Sequence, residues 1–125
     1  MALKKQVEEA FKNRFLSENN LELEVNVYED PFINSIQVQA YKDDSEEVAY
    51  INLSYLPDSR TMQIHEIEVD RKFQGEGYGR VLVQFIENVT EELGGESVEA
   101  LDSINDSFWT YMGYSEFGSK FKKYV

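Results

Sequence analysis

The pattern of this chain predicts an α/β domain in which a mixed sheet carries helices on both faces. Three observations point there. Runs in which apolar and polar residues alternate, the period of a strand, fill 21–28, 36–40, 49–55 and much of 60–69. Apolar stripes at helical spacing occupy 3–16 and 81–93. Strand passes to helix through Gln74-Gly75-Glu76-Gly77-Tyr78-Gly79, where glycine stands at every second position.

In chain order, Leu3, Val7, Ala10, Phe11 and Phe15 share one face of a first helix, which Asn19-Asn20 closes. Leu21, Leu23, Val25 and Val27 alternate with Glu22, Glu24, Asn26 and Tyr28 as a first strand, broken by Pro31. Ile36, Val38 and Ala40 mark a second strand, and Ala49, Ile51, Leu53 and Tyr55 a third. The Asp43-Asp44-Ser45 turn between them predicts a hairpin. After Leu56-Pro57-Asp58-Ser59, a fourth strand runs from about Arg60 to Val69. Its apolar set sits at Met62 and Ile64, then moves to Ile67 and Val69, a phase slip that a regular strand cannot absorb. A β-bulge near His65–Glu66 would resolve it. Val81, Leu82, Phe85, Ile86, Val89 and Leu93 form the next helical stripe, stopped at Gly94-Gly95. Val98 to Leu101 reads as a buried strand beside the fourth. Asp102 to Asp106 offers N-cap chemistry for a short helix that Gly113 ends, and the last residues supply a final strand.

The 125 residues make one domain, 1–125, without linker or repeat. With no cysteine there are no disulfides, thiolate metal sites or cysteine nucleophiles, and one histidine argues against a histidine-rich metal centre. Neither a signal peptide nor a run of about 20 apolar residues is visible, so a soluble, cytoplasmic protein without membrane contact is expected. Twenty-four acidic against 12 basic residues give −12, a poor footprint for nucleic acid and a better one for cationic partners.

The glycine turn is a natural anion site, because glycine permits φ > 0 and lets backbone N–H groups converge ahead of a helix. It is not a Walker loop: Arg80 and Val81 stand where lysine and a hydroxyl residue are required. Nor is it a dinucleotide fingerprint, since the third glycine, Gly79, falls one residue early. What stands is Gln74-x-x-Gly77-x-Gly79, which resembles the Arg/Gln-x-x-Gly-x-Gly/Ala turn of the GNAT N-acetyltransferase superfamily. Phe108-Trp109-Thr110-Tyr111-Met112-Gly113-Tyr114 is similar to that family's Phe-Tyr-x-x-Leu-Gly-Phe segment, at the expected place.

The resemblance implies a mostly antiparallel sheet with a splayed central strand pair, acetyl-CoA as co-substrate and no metal. It implies that Gln74, Gly75, Gly77, Tyr78, Gly79 and Arg80 hold the pyrophosphate, with Arg71 and Lys72 nearby. Backbone N–H groups at Ile67 and Val69 would orient the thioester and pantetheine, and the acetyl group would pass directly to a primary amine. Glu66 and Glu68 are candidates for the base, with His65 behind them. Trp109 stands where the family commonly has a tyrosine that protonates the leaving thiolate, and indole N–H is no acid at useful pH. Tyr111 or Tyr114 could replace it. Asp102 replaces the family's asparagine, and Asn105 sits at its usual alanine position. The expected acceptor is a small-molecule or peptide amine; the net charge favours a cationic one, with Glu22, Glu24, Glu29 and Asp30 flanking its cleft. The C-terminal edge strand leaves a homodimer open. A catalytically quiet acyl-CoA-binding or protein-interaction module on the same fold is the alternative.

Overall fold

The computed structural model describes residues 5, 8–9, 21–29, 33–42, 46–101 and 106–125. Lys5, Glu8 and Glu9 are helical, inside the stretch expected to form the first helix. That helix's apolar residues, its Asn19-Asn20 stop, Pro31, the Asp43-Asp44-Ser45 turn and the Asp102–Asn105 cap lie outside the described residues.

Among the described residues seven strands form one sheet: β1 (Leu21–Glu29), β2 (Asn34–Lys42), β3 (Glu46–Leu56), β4 (Thr61–Val69), β5 (Ser97–Ala100), β6 (Ser115–Phe117) and β7 (Lys120–Tyr124). Their spatial order is β1-β2-β3-β4-β5-β7-β6. Only β4 and β5 run parallel, and every other neighbouring pair is antiparallel. Helix α1 (Tyr78–Glu92) is the crossover between β4 and β5, and α2 (Asp106–Tyr111) follows β5. The chain ends in a β6–β7 hairpin rather than one strand, turning at Gly118 with φ 68°. Ser115-Glu116-Phe117 is too short and too polar to show a strand period.

Register assigns the faces. Val25, Val38, Ile51 and Ile67 are cross-strand neighbours, as are Leu53 and Ile64, and Met62 and Val98. Together they make an apolar face. Leu82, Val83, Phe85, Ile86 and Val89 of α1 are buried, and α1 packs on β4 and β5. At about 25 cal/mol per Å² of apolar surface, burying each such side chain contributes on the order of 2 kcal/mol before entropy is counted. Helix α2 serves the same side, since Phe108 lies against Gly79 at the head of α1. The other face is polar, and its Glu22, Glu24, Glu66 and Glu68 are exposed. Of the two faces expected to carry helices, the apolar one therefore receives both α1 and α2.

The phase slip in β4 is a bulge. Asn52 pairs with Glu66 while Leu53 pairs with Ile64, which leaves His65 as the extra residue. The bulge returns Ile67 and Val69 to the apolar face and keeps Glu66 and Glu68 on the polar one. Beside it the central pair opens. Strand β5 matches β4 only from Thr61 to Ile64, and the last bond there is Leu101 N–H to the Ile64 carbonyl, 3.0 Å.

Candidate active site

Beyond Ile64, β4 keeps its partner β3 on one side and, among the described residues, has no strand on the other. Asp70 N–H donates to the Val48 carbonyl at 2.8 Å, so its amide faces β3. Amide direction alternates along a strand, so the N–H groups of Ile67 and Val69 face the opening. The Val69 carbonyl points there too and accepts the Gln74 side chain, Nε2 to O 2.9 Å. The edge thus presents two adjacent donors aligned as if for one more strand.

The turn after β4 is braced at both ends. The Asp70 carboxylate caps a 3-10 turn, Arg71–Phe73, by accepting from Lys72 N–H at 3.0 Å. Buried Phe73 meets Tyr78 edge to face with ring centres 5.9 Å apart, and the Lys42 ammonium lies about 6 Å from both rings. Between them Gly75 and Gly77 take φ 83° and 86°, the left-handed region, and a Cβ on either would enter open space. Gly77 is the N-cap of α1 and no side chain caps that end. The first helical bond is Val81 N–H to the Gly77 carbonyl, 3.2 Å, so the preceding N–H groups, at Tyr78, Gly79 and Arg80, lack intrahelical acceptors. Left-handed glycines, uncapped amides and the positive end of a helix dipole make a cradle for an anion. Gly79 serves packing instead, with the Phe108 ring 3.6 Å from where its Cβ would be. Arg71 and Arg80 are exposed, whereas Lys72 forms an ion pair with Glu46 that raises its pKa.

Glu66 and Glu68 stand two residues apart on the exposed polar face, beside the open edge. His65 shares a 2.8 Å hydrogen bond with the Ser54 hydroxyl. The tyrosine hydroxyls diverge. Tyr111 is 72% exposed at the end of α2, whereas Tyr114 is buried and donates to Glu87 Oε2 at 2.8 Å. Burial, then the Glu87 charge and this bond, hold the Tyr114 proton well above the usual tyrosine range, so it is no acid in the working pH range. Trp109 is 4% exposed and packs edge to face on Phe108 and Tyr114, each at 5.0 Å. It is a core residue.

Sequence reasoning passed over Glu99. On the polar face of β5 it is 6% exposed, accepting from Gln63 Nε2 at 3.3 Å and Lys120 Nζ at 3.1 Å, with Lys122 Nζ 3.8 Å away. It lines a polar cleft of about 380 Å³ with Thr61, Gln63, Ser97, Lys120 and Lys122. The cleft lies at the start of β4, the opposite end of the strand from the glycine turn, and so is separate from the anion cradle. The alternation Val98-Glu99-Ala100 was the available signal.

A model of the acetyltransferase (GNAT) family matches residues 3–114. No curated protein matches. Among solved structures, the chain superposes on archaeal Methanocaldococcus infernus Elp3 with TM-score 0.70 and 18% identity, covering 93% of this chain and 32% of that one, about a third of its length. A Bacillus cereus acetyltransferase gives TM-score 0.61 and 18% identity, over 98% of this chain and 89% of that one. Tetrahymena GCN5 gives 0.62 and 13%, over 77% and 70%.

Proposed function

The chain belongs to the acetyltransferase (GNAT) family, and from that premise we propose that it moves acetyl from acetyl-CoA to a primary amine by direct attack in a ternary complex. One observation carries the reading: left-handed Gly75 and Gly77, with open space around them, lead into an uncapped helix at the end of a strand edge that no other described strand pairs. Such a cradle fits a pyrophosphate, and the edge fits an extended arm with amides of its own.

Acetyl-CoA, when bound, supplies an activated thioester carbon. The amides around Gly75, Gly77, Tyr78, Gly79 and Arg80 hold the pyrophosphate, and the exposed Arg80 guanidinium adds positive charge. The Ile67 and Val69 N–H groups orient the arm and the thioester. Glu66 or Glu68 takes the proton that the amine loses as its nitrogen bonds to the carbonyl carbon and the carbon–sulfur bond breaks. The proton for the departing sulfur comes from Tyr111, the exposed hydroxyl of the two considered, or from water. The acceptor meets the polar face, which carries Glu22, Glu24, Glu66 and Glu68, and this favours a cationic amine.

The test is calorimetry with acetyl-CoA on the parent and on Gly77→Val. A β-branched residue at φ 86° is strained, costing about 1–2 kcal/mol, and fills the open space of the cradle. The variant is expected to keep its circular dichroism spectrum and lose at least tenfold in affinity. A folded variant that binds like the parent places the site elsewhere.

A further inference from the structure

Resting on the reading above, we infer that Gln74 is a positioning residue for the pantetheine track rather than a contact to the pyrophosphate. Its backbone and its side-chain amide each make a hydrogen bond within the protein. Its backbone N–H donates to the Arg71 carbonyl at 3.3 Å, closing the 3-10 turn, and its side-chain amide donates to the Val69 carbonyl at 2.9 Å. A phosphate needs donors, and of the two N–H groups on Nε2 the one facing the strand is already used on the Val69 carbonyl.

The side chain acts on the strand edge. Val69 N–H and C=O leave the backbone on the same side, toward the opening. With no strand there among the described residues, this carbonyl needs a donor and this N–H needs a fixed direction. Gln74 supplies the donor, as the next strand would have done, and ends the ladder at that point. On the other side of the same peptide unit, Asp70 N–H is held to the Val48 carbonyl at 2.8 Å. The Val69–Asp70 peptide plane is therefore clamped from both sides, which fixes the end of the strand next to the Val69 N–H and ties it to the residue before the first glycine of the turn. The consequence is a division of labour. The glycine cradle grips phosphate without help from the Gln74 amide, whereas the arm is aligned only while the clamp holds.

The experiment separates the two ligand halves. ADP carries a pyrophosphate and no arm, and acetyl-CoA carries both. Calorimetry on the parent, on Gln74→Met (similar size, no donor) and on Gln74→Arg (donor restored) gives the ratio of the two dissociation constants, in which charge effects on the cradle cancel. In Gln74→Met, acetyl-CoA affinity is expected to fall about tenfold, the worth of one lost hydrogen bond to an oriented group, with ADP changed less than about twofold. Gln74→Arg should bring the ratio back to the parent's. An equal loss for both ligands in Gln74→Met, no loss for either, or an unrestored ratio in Gln74→Arg overturns the inference. Failure of the parent to bind either ligand overturns instead the assignment of the turn to acetyl-CoA.

Discussion

Tyr114 shows how a candidate acid becomes a structural residue. Its hydroxyl donates to Glu87 Oε2, and Lys123 Nζ reaches Glu87 Oε1 at 3.3 Å, so the half-buried carboxylate is compensated from two sides. Tyr114→Phe removes the hydrogen bond and leaves Glu87 with the lysine alone, an expected loss of about 1–2 kcal/mol by denaturant unfolding at pH 7. The sign with pH follows from the raised pKa. The folded protein keeps the proton above the ordinary tyrosine value of 10.0, at which the unfolded chain releases it. The stabilisation is complete below that pH and declines above it, so the parent should lose stability more steeply than Tyr114→Phe beyond about pH 10. Equal slopes would show that Tyr114 titrates alike in both states. Gly75 and Gly77 were legible in the sequence because a turn with two φ > 0 positions has one natural residue. The fates of Trp109, Tyr111 and Tyr114 were not, because an aromatic cluster does not reveal which ring faces inward.

At the level of elements, the bulge in β4 was legible for a similar reason: a face change between Ile64 and Ile67 has no other inexpensive solution. The second bulge, where Ala40 pairs with Ala49 and Tyr41 with Glu47, gave no such sign, because Val48 continues an apolar stretch. The His65 bulge yields a comparison. His65→Ala keeps the extra residue and removes only the bond to Ser54, about 1 kcal/mol. Deleting His65 removes the extra residue, so Leu53–Ile64 and Asn52–Glu66 become consecutive pairs of a regular ladder, with Ile67 and Val69 still on the apolar face and Glu66 and Glu68 on the polar one. The deletion should therefore cost about as much stability as the substitution, while straightening the open edge and weakening acetyl-CoA binding at least tenfold. A deletion that keeps the parent's acetyl-CoA affinity would show that the bulge does not shape the binding edge.

Over the whole molecule, the net charge of −12 is divided between surfaces with different roles. The glycine cradle is amide-rich with Arg71 and Arg80 nearby, as an anionic ligand requires. On the polar sheet face, Tyr41 has a pKa raised first by burial and then by the neighbouring Glu24 and Glu47. The basic residues Lys120 and Lys122 sit at the far end of that face, both turned to Glu99. This division was only partly readable beforehand, since composition gives a total charge and only strand register assigns each carboxylate to a face. It leads to a prediction about the acceptor. A polyamine approaching Glu22, Glu24, Glu66 and Glu68 is drawn by a field that salt screens over about 10 Å at 0.1 M. Its KM should rise several-fold between low and high ionic strength while kcat stays nearly constant, and a neutral-bodied arylalkylamine should respond less because it carries one charge rather than several. Steady-state kinetics with both amines at matched pH decide the matter. Equal salt responses, or a preference for the arylalkylamine, would mean that the acidic face serves solubility and that acceptor choice is made elsewhere in the chain.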